Sequence, residues 1–216
     1  MLDLYQGRWE GKLLEPGDFV ISADAKPSIQ ARRRIHESAS PGPGRGQRVE
    51  HEYERMGALT YLDAWDVRRG GVIGRSERKG GIAAFNRLVW QVMTKEHYAS
   101  ARRIFWIVDN GSDHRGKASI KRLQDRWPNL ILVHLPVHAS WLNQVEIYHP
   151  IIQRKLLDRN DYESTAELAR ALNDFERRYN EIAKPFEWNF TRQDLAELLD
   201  RLDRPEHDAP PLALAA

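Results

Sequence analysis

Two aspartates of this 216-residue chain each stand where a short apolar run ends. Asp24 closes the run of residues 18–24, and Asp109 closes the run of residues 103–109. Aspartate is a poor strand former, and functional sites in open α/β sheets tend to lie beyond the carboxyl ends of strands. Two carboxylates that met there would repel each other unless a divalent cation lay between them. Taken singly, each aspartate has an alternative interpretation as a strand-end turn former or a helix cap.

A third carboxylate is expected in a metal site of this kind, and Glu146 is the candidate. The chain has no cysteine, and oxygen ligands favour a hard ion such as Mg²⁺ or Mn²⁺. Asn143 lies three residues before Glu146, which is also the spacing of a capping box at a helix N-terminus. The capping interpretation does not exclude a metal-binding role, so both stand for Glu146.

The elements that must position these residues follow the order strand, hairpin, helix, strand, helix, strand and further helices. The run that ends at Asp24 is interpreted as a strand that stops at Pro27. Residues 58–65 and 72–73 flank a turn at 69–71 and predict a hairpin. Further strands are predicted at 103–109 and 130–135, and helical spacing is found at 82–92, 120–127, 143–157, 168–179 and 195–202. This order predicts an α/β fold in which helices cover a mixed sheet.

Charge is unevenly distributed along a chain whose formal net charge is only +2. Residues 26–155 carry 11 more basic than acidic side chains, and 25 of the 33 basic residues are arginines. Such a block suggests a surface that faces nucleic acid, because the arginine fork suits phosphate. The alternative is an arginine-rich solvated surface. No run approaches the ~20 apolar residues of a membrane span, the first residues lack a signal-peptide pattern, and the absence of cysteine points to the cytoplasm.

Three sequence blocks carry a resemblance to a known family. They are VISADAKPSIQ at residues 20–30, VDNGSDH at 108–114 and HASWLNQVE at 138–146. In this order they resemble the catalytic core of IS630-type transposases, which belong to the Tc1/mariner–IS630 superfamily of DDE transposases. The resemblance runs from about Asp18 to Leu157. The 36 residues between Asp109 and Glu146 suit the short-spaced DDE pattern.

The resemblance implies a ribonuclease-H-like α/β fold, with a mixed sheet flanked by helices and with extra C-terminal helices. It places the catalytic metal ligands Asp24 on the first strand, Asp109 at the end of the fourth and Glu146 on a following helix. Two Mg²⁺ (or Mn²⁺) ions would activate a water to cut DNA, and then a 3′-hydroxyl to join it to a target. The implied partners are double-stranded DNA and a homodimer mate or partner transposase chain, in the nucleoid of a bacterial cytoplasm.

Further residues in and near the three blocks are candidates for supporting roles. Those expected to shape loops or support the carboxylates are Asn110, Ser112, His114, His138 and Asn143. The two histidines of this set have zinc ligation as an alternative, although no close His or Cys pair accompanies either. DNA contacts through phosphate or base stacking are expected from Lys26, Arg32, Arg33, Arg34 and Trp141. The alternatives are solvated side chains and, for the tryptophan, a place in the core.

The chain departs from the family pattern in three places. Ala25 stands where the family commonly has glutamate. His149 and Pro150 replace an aromatic residue and a serine. Pro150 cannot donate to the carbonyl four residues back, so either the helix starts nearer residue 149 or it kinks just beyond Glu146. The family's N-terminal helix-turn-helix modules have no counterpart in the seventeen residues before the first strand, so we expect a fragment, a split-frame product or a decaying copy.

We expect an N-terminal lead-in over residues 1–17, a catalytic core over 18–160, C-terminal helices packed on it over 161–205 and a disordered tail over 206–216. The expected function is metal-dependent DNA cleavage and strand transfer for an insertion sequence. The alternative is a catalytically silent remnant that binds DNA or dimerises with intact transposase. A ribonuclease H or junction resolvase of the same fold is a third interpretation.

Overall fold

Five strands form a mixed sheet in the larger of the two units into which the chain divides, Glu15–Phe186. The computed structural model describes residues 1–37, 39–48, 50–111, 116–137, 139–158 and 160–203. The strands are β1 (Asp18–Arg34), β2 (Tyr53–Asp66), β3 (Val72–Glu77), β4 (Arg103–Val108) and β5 (Leu130–His134). They lie in the order β3-β2-β1-β4-β5. The pairs β1–β2 and β2–β3 are antiparallel, whereas β1–β4 and β4–β5 are parallel, which confirms the predicted α/β plan.

The helices of this unit are α1 (Ile82–Met93), α2 (Glu96–Ala99), α3 (Lys117–Arg126), α4 (Tyr148–Ile152) and α5 (Thr165–Glu181). Two 3₁₀ turns, Ser140–Leu142 and Gln144–Ile147, precede α4, and a π-helical stretch, Gln153–Leu157, follows it. The helices predicted near residues 82–92, 120–127 and 168–179 are confirmed. The prediction of one regular helix over 143–157 is wrong, because Asn143 bonds to a neighbouring strand and Pro150 has no N–H. None of the helices among the described residues has the length and apolarity to span a bilayer.

Helix α1 packs its apolar stripe on one face of the sheet. Its buried residues at helical spacing include Phe85, Leu88, Val89 and Val92, as expected of a helix with one apolar side. They share a hydrophobic core with Ile21 and Ala23 of β1, and full burial of each large side chain contributes roughly 1.5–3 kcal/mol. Because side chains alternate along a strand, Ser22 and Asp24 face the other side of the sheet.

An aromatic cluster holds α4 and α5 against that other face. Trp65 of β2 is fully buried, and its ring lies 6.3 Å from that of Tyr148 in α4 and 6.0 Å from that of Tyr179 in α5. The two tyrosine rings meet edge to face at 4.9 Å, which is a favourable aromatic geometry. The face that carries Asp24 is therefore covered by the helices that follow Glu146.

Helix α5 also covers the exposed edge of the sheet at β3. The Asn180 side-chain amide accepts from the Val72 N–H and donates to the Val72 carbonyl, both at 2.8 Å. Glu176 accepts from the Gly74 N–H at 3.0 Å. These bonds satisfy backbone groups that an unprotected edge strand would offer to another chain.

Strand β1 does not stop at Pro27, as the sequence predicted, but runs on to Arg34. The register shifts between Lys26 and Ile29, so that Pro27 and Ser28 stand opposite the single residue Thr60. This is a β-bulge, and Ser28 adopts a positive φ of 56° within it. A bulge accommodates a proline that cannot donate to the ladder, so the prediction fails because the proline interrupts pairing without ending the strand.

The predicted β2–β3 hairpin is confirmed, and its turn depends on a glycine. Asp66 Oδ1 accepts from the N–H groups of Arg68 and Arg69 at 3.0 and 3.1 Å. Gly70 follows with a φ of +74°, and a Cβ placed there would lie 2.1 Å from the carbonyl carbon of Lys184. Both the backbone conformation and the close approach of another segment exclude a side chain.

Replacement of Gly70 by alanine is expected to lower the free energy of unfolding by about 2–4 kcal/mol, because strain and a clash add. Gly44→Ala is the matched control, since Gly44 has a φ of +71° and no heavy atom among the described residues within 4 Å of its added Cβ. Urea unfolding followed by tryptophan fluorescence gives both values. Equal losses in the two variants would contradict the close approach at Gly70.

The second unit comprises residues 2–14 together with the chain from Glu187 onward. It contains a helix, Leu2–Tyr5, an antiparallel pair of short strands, Arg8–Trp9 and Lys12–Leu13, and a helix, Arg192–Asp203. Within it the rings of Tyr5 and Trp188 lie 5.1 Å apart, and Arg192 binds Asp3 at 2.6 Å. The helix predicted over 195–202 is confirmed. The predicted domain boundaries remain predictions, and the tail over 206–216 lies outside the described residues.

Candidate active site

Two carboxylates from neighbouring strands lie directly opposite each other on the sheet face away from α1. Asp24 of β1 and Asp63 of β2 are register partners, and the Asp63 side chain is fully buried. Like charges in such a position destabilise a sheet, and a buried carboxylate needs a partner. Sequence reasoning did not select Asp63, although a charge inside the apolar run of residues 58–65 was an available signal.

His149, the second residue of α4, is the partner of Asp63. Its Nε2 lies 3.1 Å from each carboxylate oxygen of Asp63. Burial alone would lower the pKa of His149, but the hydrogen bond and charge of Asp63 and the charge of Asp24 raise it above its ordinary value. Burial raises the pKa of Asp63, whereas the hydrogen bond and charge of His149 act to lower it, so the two side chains form one coupled, buried pair. The sequence marked His149 only as a departure from the family pattern, and its counterion role was not predicted.

Asp24 and Asp109 stand where the parallel pairing of two neighbouring strands ends. Ser22 of β1 and Ile107 of β4 are the last residues of that pairing. Asp24 lies two residues further along β1, and Asp109 directly follows the last residue of β4. The charge of Asp109 acts on the pKa of Asp24, so the two carboxylates lie within electrostatic range of each other. The structure thus brings together the two aspartates that the sequence selected.

The surroundings of Asp24 oppose its ionisation in the absence of a metal. Burial, aided by the charges of Asp63 and Asp109, raises the pKa of Asp24 to about 6. The N–H of Ala25, which donates to Asp24 Oδ1 at 2.7 Å, and the charge of His149 act in the opposite direction. A divalent cation would offset both the burial and the repulsion.

The loop after β4 shapes the surroundings of Asp109. Asp109 Oδ1 accepts from the Gly111 N–H at 2.9 Å, which fixes one carboxylate oxygen in a local turn. The amide of Asn110 donates to the carbonyl of Leu135 at 2.7 Å and so joins the ends of β4 and β5. Asp109 and Asn110 border a cavity of about 290 Å³ that Ser140 also lines.

Asn143 ties the segment that carries Glu146 to β1. Its Oδ1 accepts a short hydrogen bond from Ser22 Oγ, and its Nδ2 donates to the carbonyl of Ala23 at 3.0 Å. Ser22 Oγ in turn accepts from the Val145 N–H at 2.9 Å. The capping-box interpretation is wrong, because the Asn143 side chain makes no cap hydrogen bond and is used by β1 instead. Ser22 is a further residue that sequence reasoning missed.

Glu146 is half-buried in the second 3₁₀ turn, three residues after Asn143, whose side chain bonds to β1. Among the described residues, no group of three or more His, Asp or Glu side chains is close enough to hold a metal ion. Asp24 and Asp109 therefore lie within electrostatic range of each other, and the backbone that carries Glu146 is fixed by hydrogen bonds. The three carboxylates do not surround a common metal position. Their all-oxygen chemistry fits a hard divalent ion.

Pro150 resolves one alternative left open by the sequence. Helix α4 begins at Tyr148, so Pro150 lies in its first turn, where an N–H has no partner within the helix. The helix therefore starts beside residue 149, as one alternative held, and Pro150 is not in a helix interior. The 3₁₀ turn that carries Glu146 precedes the helix, so the proline does not disturb it.

The predicted DNA-contact residues lie in different surroundings. Trp141 is 45% exposed, so its alternative place in the core is wrong. Lys26 lies two residues beyond Asp24, and its charge opposes the rise in the pKa of Asp63 that burial causes. Arg33 binds Glu54 and Glu163, whereas exposed Arg32 lies over the Tyr53 ring at 4.6 Å. With Arg34, these arginines end β1, about 25 Å along the strand from Asp24.

Three predicted residues, Ser112, His114 and His138, lie outside the described residues. Their supporting roles and the zinc alternative for the two histidines remain predictions.

Residues 21–169 match the model of a protein family described as DDE superfamily endonuclease. The match covers well over half of the chain and includes Asp24, Asp109 and Glu146. This chain belongs to the DDE superfamily endonucleases. The family assignment confirms the resemblance to DDE enzymes that the three sequence blocks carried. A search of curated proteins finds no match to the chain.

Solved structures similar to this DDE endonuclease include three of Mos1. The Mos1 mariner paired-end complex with Mn has a TM-score of 0.52 at 14% identity, over 84% of this chain and 53% of that one. A pre-cleavage Mos1 transpososome has a TM-score of 0.51 at 14% identity, over 73% of this chain and 48% of that one. The Mos1 paired-end complex with the left transposon end has a TM-score of 0.52 at 13% identity, over 84% of this chain and 52% of that one. The likeness confirms the ribonuclease-H-like fold. The chain spans about half the length of the Mos1 chains.

The pairing of Asp63 with His149 is expected to dominate the effect of substituting either residue. His149→Ala should lower the free energy of unfolding by about 3–5 kcal/mol at neutral pH, because it leaves a buried carboxylate unpaired. Asp63→Ala combined with His149→Ala should cost much less than the sum of the two single changes. Chemical denaturation of the wild type and the three variants provides the double-mutant cycle. Additivity within about 0.5 kcal/mol would contradict the coupling.

Asp24→Asn is expected to stabilise the metal-free protein at high pH and not at low pH. The folded protein raises the pKa of Asp24 from its ordinary 3.8 to about 6. The contribution of this group to the free energy of unfolding is therefore fully present below pH 3.8 and is lost as the pH rises through 6. The gain of the variant should therefore be near zero at pH 4 and reach about 1–3 kcal/mol at pH 8. Thermal or urea unfolding across this range measures it.

The matched control for Asp24→Asn is Asp174→Asn on the exposed side of α5, where the carboxylate is 54% exposed. It should change stability by less than about 0.5 kcal/mol at either pH. A gain for Asp24→Asn that is the same at pH 4 and pH 8 would show that repulsion around the ionised carboxylate is not its cause.

Proposed function

We propose that this chain is the catalytic domain of an IS630-type DDE transposase, which cuts DNA and joins the cut end to a target. The observation that carries the proposal is the placement of Asp24 and Asp109 where the parallel pairing of β1 with β4 ends, within electrostatic range of each other. Asn143 supports it by tying the turn that bears Glu146 to the same strand. Membership of the DDE superfamily endonucleases supports strand cleavage as the chemistry. The IS630 assignment rests on the three sequence blocks.

The residues of the site fit two Mg²⁺ or Mn²⁺ ions held by Asp24, Asp109 and Glu146. All three offer carboxylate oxygens, which hard divalent ions prefer. The pKa of Asp24 is raised by burial and, to a smaller extent, by the charges of Asp63 and Asp109, and a cation would offset both. When bound, such ions supply activation of a water or 3′-hydroxyl and stabilisation of the leaving oxygen. The structural neighbour with Mn supports a divalent metal.

The remaining residues prepare the carboxylates for that role. Asp24 must give up its proton to bind a cation, and the N–H of Ala25 and the charge of His149 favour that loss. His149 also holds the buried charge of Asp63, which would otherwise repel Asp24. The Gly111 N–H orients one oxygen of Asp109. The alanine at residue 25 serves Asp24 through its backbone N–H, which any residue type except proline would supply.

Double-stranded DNA, as element ends and target, is the proposed substrate. The Mos1 neighbours are paired-end complexes and a transpososome, which supports DNA ends as substrate and a homodimer or partner transposase chain as assembly. Exposed Trp141 and half-buried Lys26 are the nearest candidates in sequence to the carboxylates for contacts with DNA, and Arg32, Arg33 and Arg34 are more distant ones. A bacterial cytoplasm, close to the nucleoid, is the corresponding place of action.

A catalytically silent, DNA-binding remnant is the second candidate, and one observation favours it. His149, whose pKa is raised by its bond to Asp63, acts on Asp24 and can supply positive charge beside the carboxylate that a metal would use. In addition, no group of three acidic or histidine side chains among the described residues is ready to hold an ion.

Nicking of supercoiled plasmid in Mg²⁺ or Mn²⁺ separates the two candidates. The purified chain should nick, Asp109→Asn should reduce nicking to background because a metal ligand is lost, and Asp174→Asn should leave it unchanged. Gel electrophoresis of the relaxed and linear products measures each rate. Circular dichroism of Asp109→Asn establishes that the loss is not one of folding.

Absence of nicking by the wild type in either metal would contradict the enzyme and favour the silent remnant. Nicking that persists in Asp109→Asn would contradict the proposed carboxylates. Faster cleavage of RNA–DNA hybrids or four-way junctions than of linear duplex would instead identify a ribonuclease H or a junction resolvase.

A further inference from the structure

A groove lined by arginine and tryptophan lies between α1 and α3. It has a volume of about 850 Å³, against about 290 Å³ for the cavity beside Asp109. Its wall includes Arg75 of β3, Arg87 and Trp90 of α1, and Arg122 and Arg126 of α3. None of these residues belongs to the carboxylate site or to the segments that support it.

The groove lies on the sheet face opposite the acidic site. Arg75 pairs in register with Leu62, whose side chain belongs to the core beneath α1. The neighbouring residue Asp63 points to the other face, where it meets His149. DNA held in the groove is therefore separated from the carboxylates by the thickness of the sheet, so the groove would hold a different stretch of DNA from the one being cut.

Neighbouring side chains hold the arginines in place without cancelling their charge. Glu77 binds Arg75 at 2.5 Å and receives two bonds from Arg87, at 2.7 and 2.8 Å. Arg122 donates to Ser119 Oγ at 2.7 Å, and Arg126 lies over the Trp127 ring at 5.6 Å. One glutamate between two arginines leaves net positive charge, and fixed guanidinium groups lose little conformational entropy on binding phosphate.

Carboxylates contribute little to the lining of the groove. Among the described residues, Asp125 is the acidic residue of the wall, and Lys121 binds both of its oxygens, at 2.8 and 2.7 Å. The four arginines of the wall outnumber this aspartate and Glu77, which two of them share, so the groove suits a polyanion.

Trp90 gives the groove a second kind of contact. The opposite side of α1 is buried in the core, yet the Trp90 side chain remains 51% exposed, and it stands between the arginines of the groove. An aromatic ring beside fixed cations is the combination with which proteins bind unpaired nucleic acid, because the ring stacks on a base while the cations hold the backbone.

The same combination argues against a duplex as occupant. In a duplex the faces of the bases are covered by their neighbours, so a ring beside the backbone meets only sugar and phosphate. A volume of about 850 Å³ lies in the range of about 300–1,000 Å³ typical of small-ligand pockets. A pocket of this size admits a short unpaired segment.

We propose that this groove binds single-stranded DNA, with an unpaired base stacked on Trp90 and the adjoining phosphates on Arg126, Arg122 and Arg87. The proposal extends the proposed function, because strand cleavage and joining expose unpaired nucleotides. Its binding site shares no residue with the carboxylate site. Binding of single-stranded DNA can therefore be measured without metal, and a failure to bind is a separate result from a failure to cleave.

The test measures binding of fluorescein-labelled oligothymidine to the full chain by anisotropy, in EDTA, with a duplex of equal length as the comparison. Trp90→Ala should weaken oligothymidine binding by about fivefold to a hundredfold, the value of one stacked base, and change duplex binding little. Trp90→Phe should retain most of the affinity. Arg126→Glu should weaken binding, whereas Arg177→Glu, the same change at a 72% exposed arginine of α5, should not.

Three results would overturn the proposal. The first is oligothymidine binding by Trp90→Ala and Arg126→Glu that equals that of Arg177→Glu. The second is an equal loss of duplex and single-strand binding in Trp90→Ala. The third is tighter, Arg126-dependent binding of an acidic peptide with the sequence of residues 192–203, which would make the groove a docking site for a protein segment. Plasmid nicking by the same variants reports separately on the carboxylate site.

Discussion

A buried carboxylate that lies opposite a second carboxylate is the constraint on which this site depends. Asp63 has no access to solvent and shares its register position with Asp24, an arrangement that two β-strands alone would not tolerate. The His149 imidazole relieves it with two contacts of 3.1 Å. His149 is supplied by α4, so the first turn of that helix has to lie against β1 and β2. The position of the Glu146 segment follows from the same requirement.

The order of the strands places further acidic groups beside Asp24. Since β1 lies between antiparallel β2 and parallel β4, Asp24 within it is flanked by Asp63 on one side and by the end of β4 on the other. Asp24 consequently experiences burial and two negative neighbours, which raises its pKa to about 6. The apolar core beneath α1 occupies the opposite face, so the acidic groups of the site are confined to one side of the sheet. The burial and repulsion around Asp24 lower the stability of the metal-free protein, and the proposed cation would offset that cost.

The parts of this arrangement that follow from local pattern could be predicted from the sequence. Asp24 and Asp109 were found because aspartate is a poor strand former and stands out at the end of a buried apolar run, and the order of elements indicated the mixed sheet. Pro27 was misjudged because a bulge lets a proline interrupt pairing without ending a strand. Asn143 has the spacing of a cap, but its side chain bonds to β1, more than a hundred residues earlier. The pairing of Asp63 with His149 also joins distant segments, and no local pattern marks such a contact.

The central claim is that Asp24 and Asp109 bind Mn²⁺, and isothermal titration with Mn²⁺ tests it most directly. The account predicts that the wild type binds Mn²⁺ at pH 7.5 and releases protons as it does so. Binding should weaken as the pH falls below about 6, the pKa of Asp24. Asp24→Asn and Asp109→Asn should each abolish it, while Asp174→Asn should not. Mn²⁺ binding of equal affinity in the wild type and in both site variants would contradict the account.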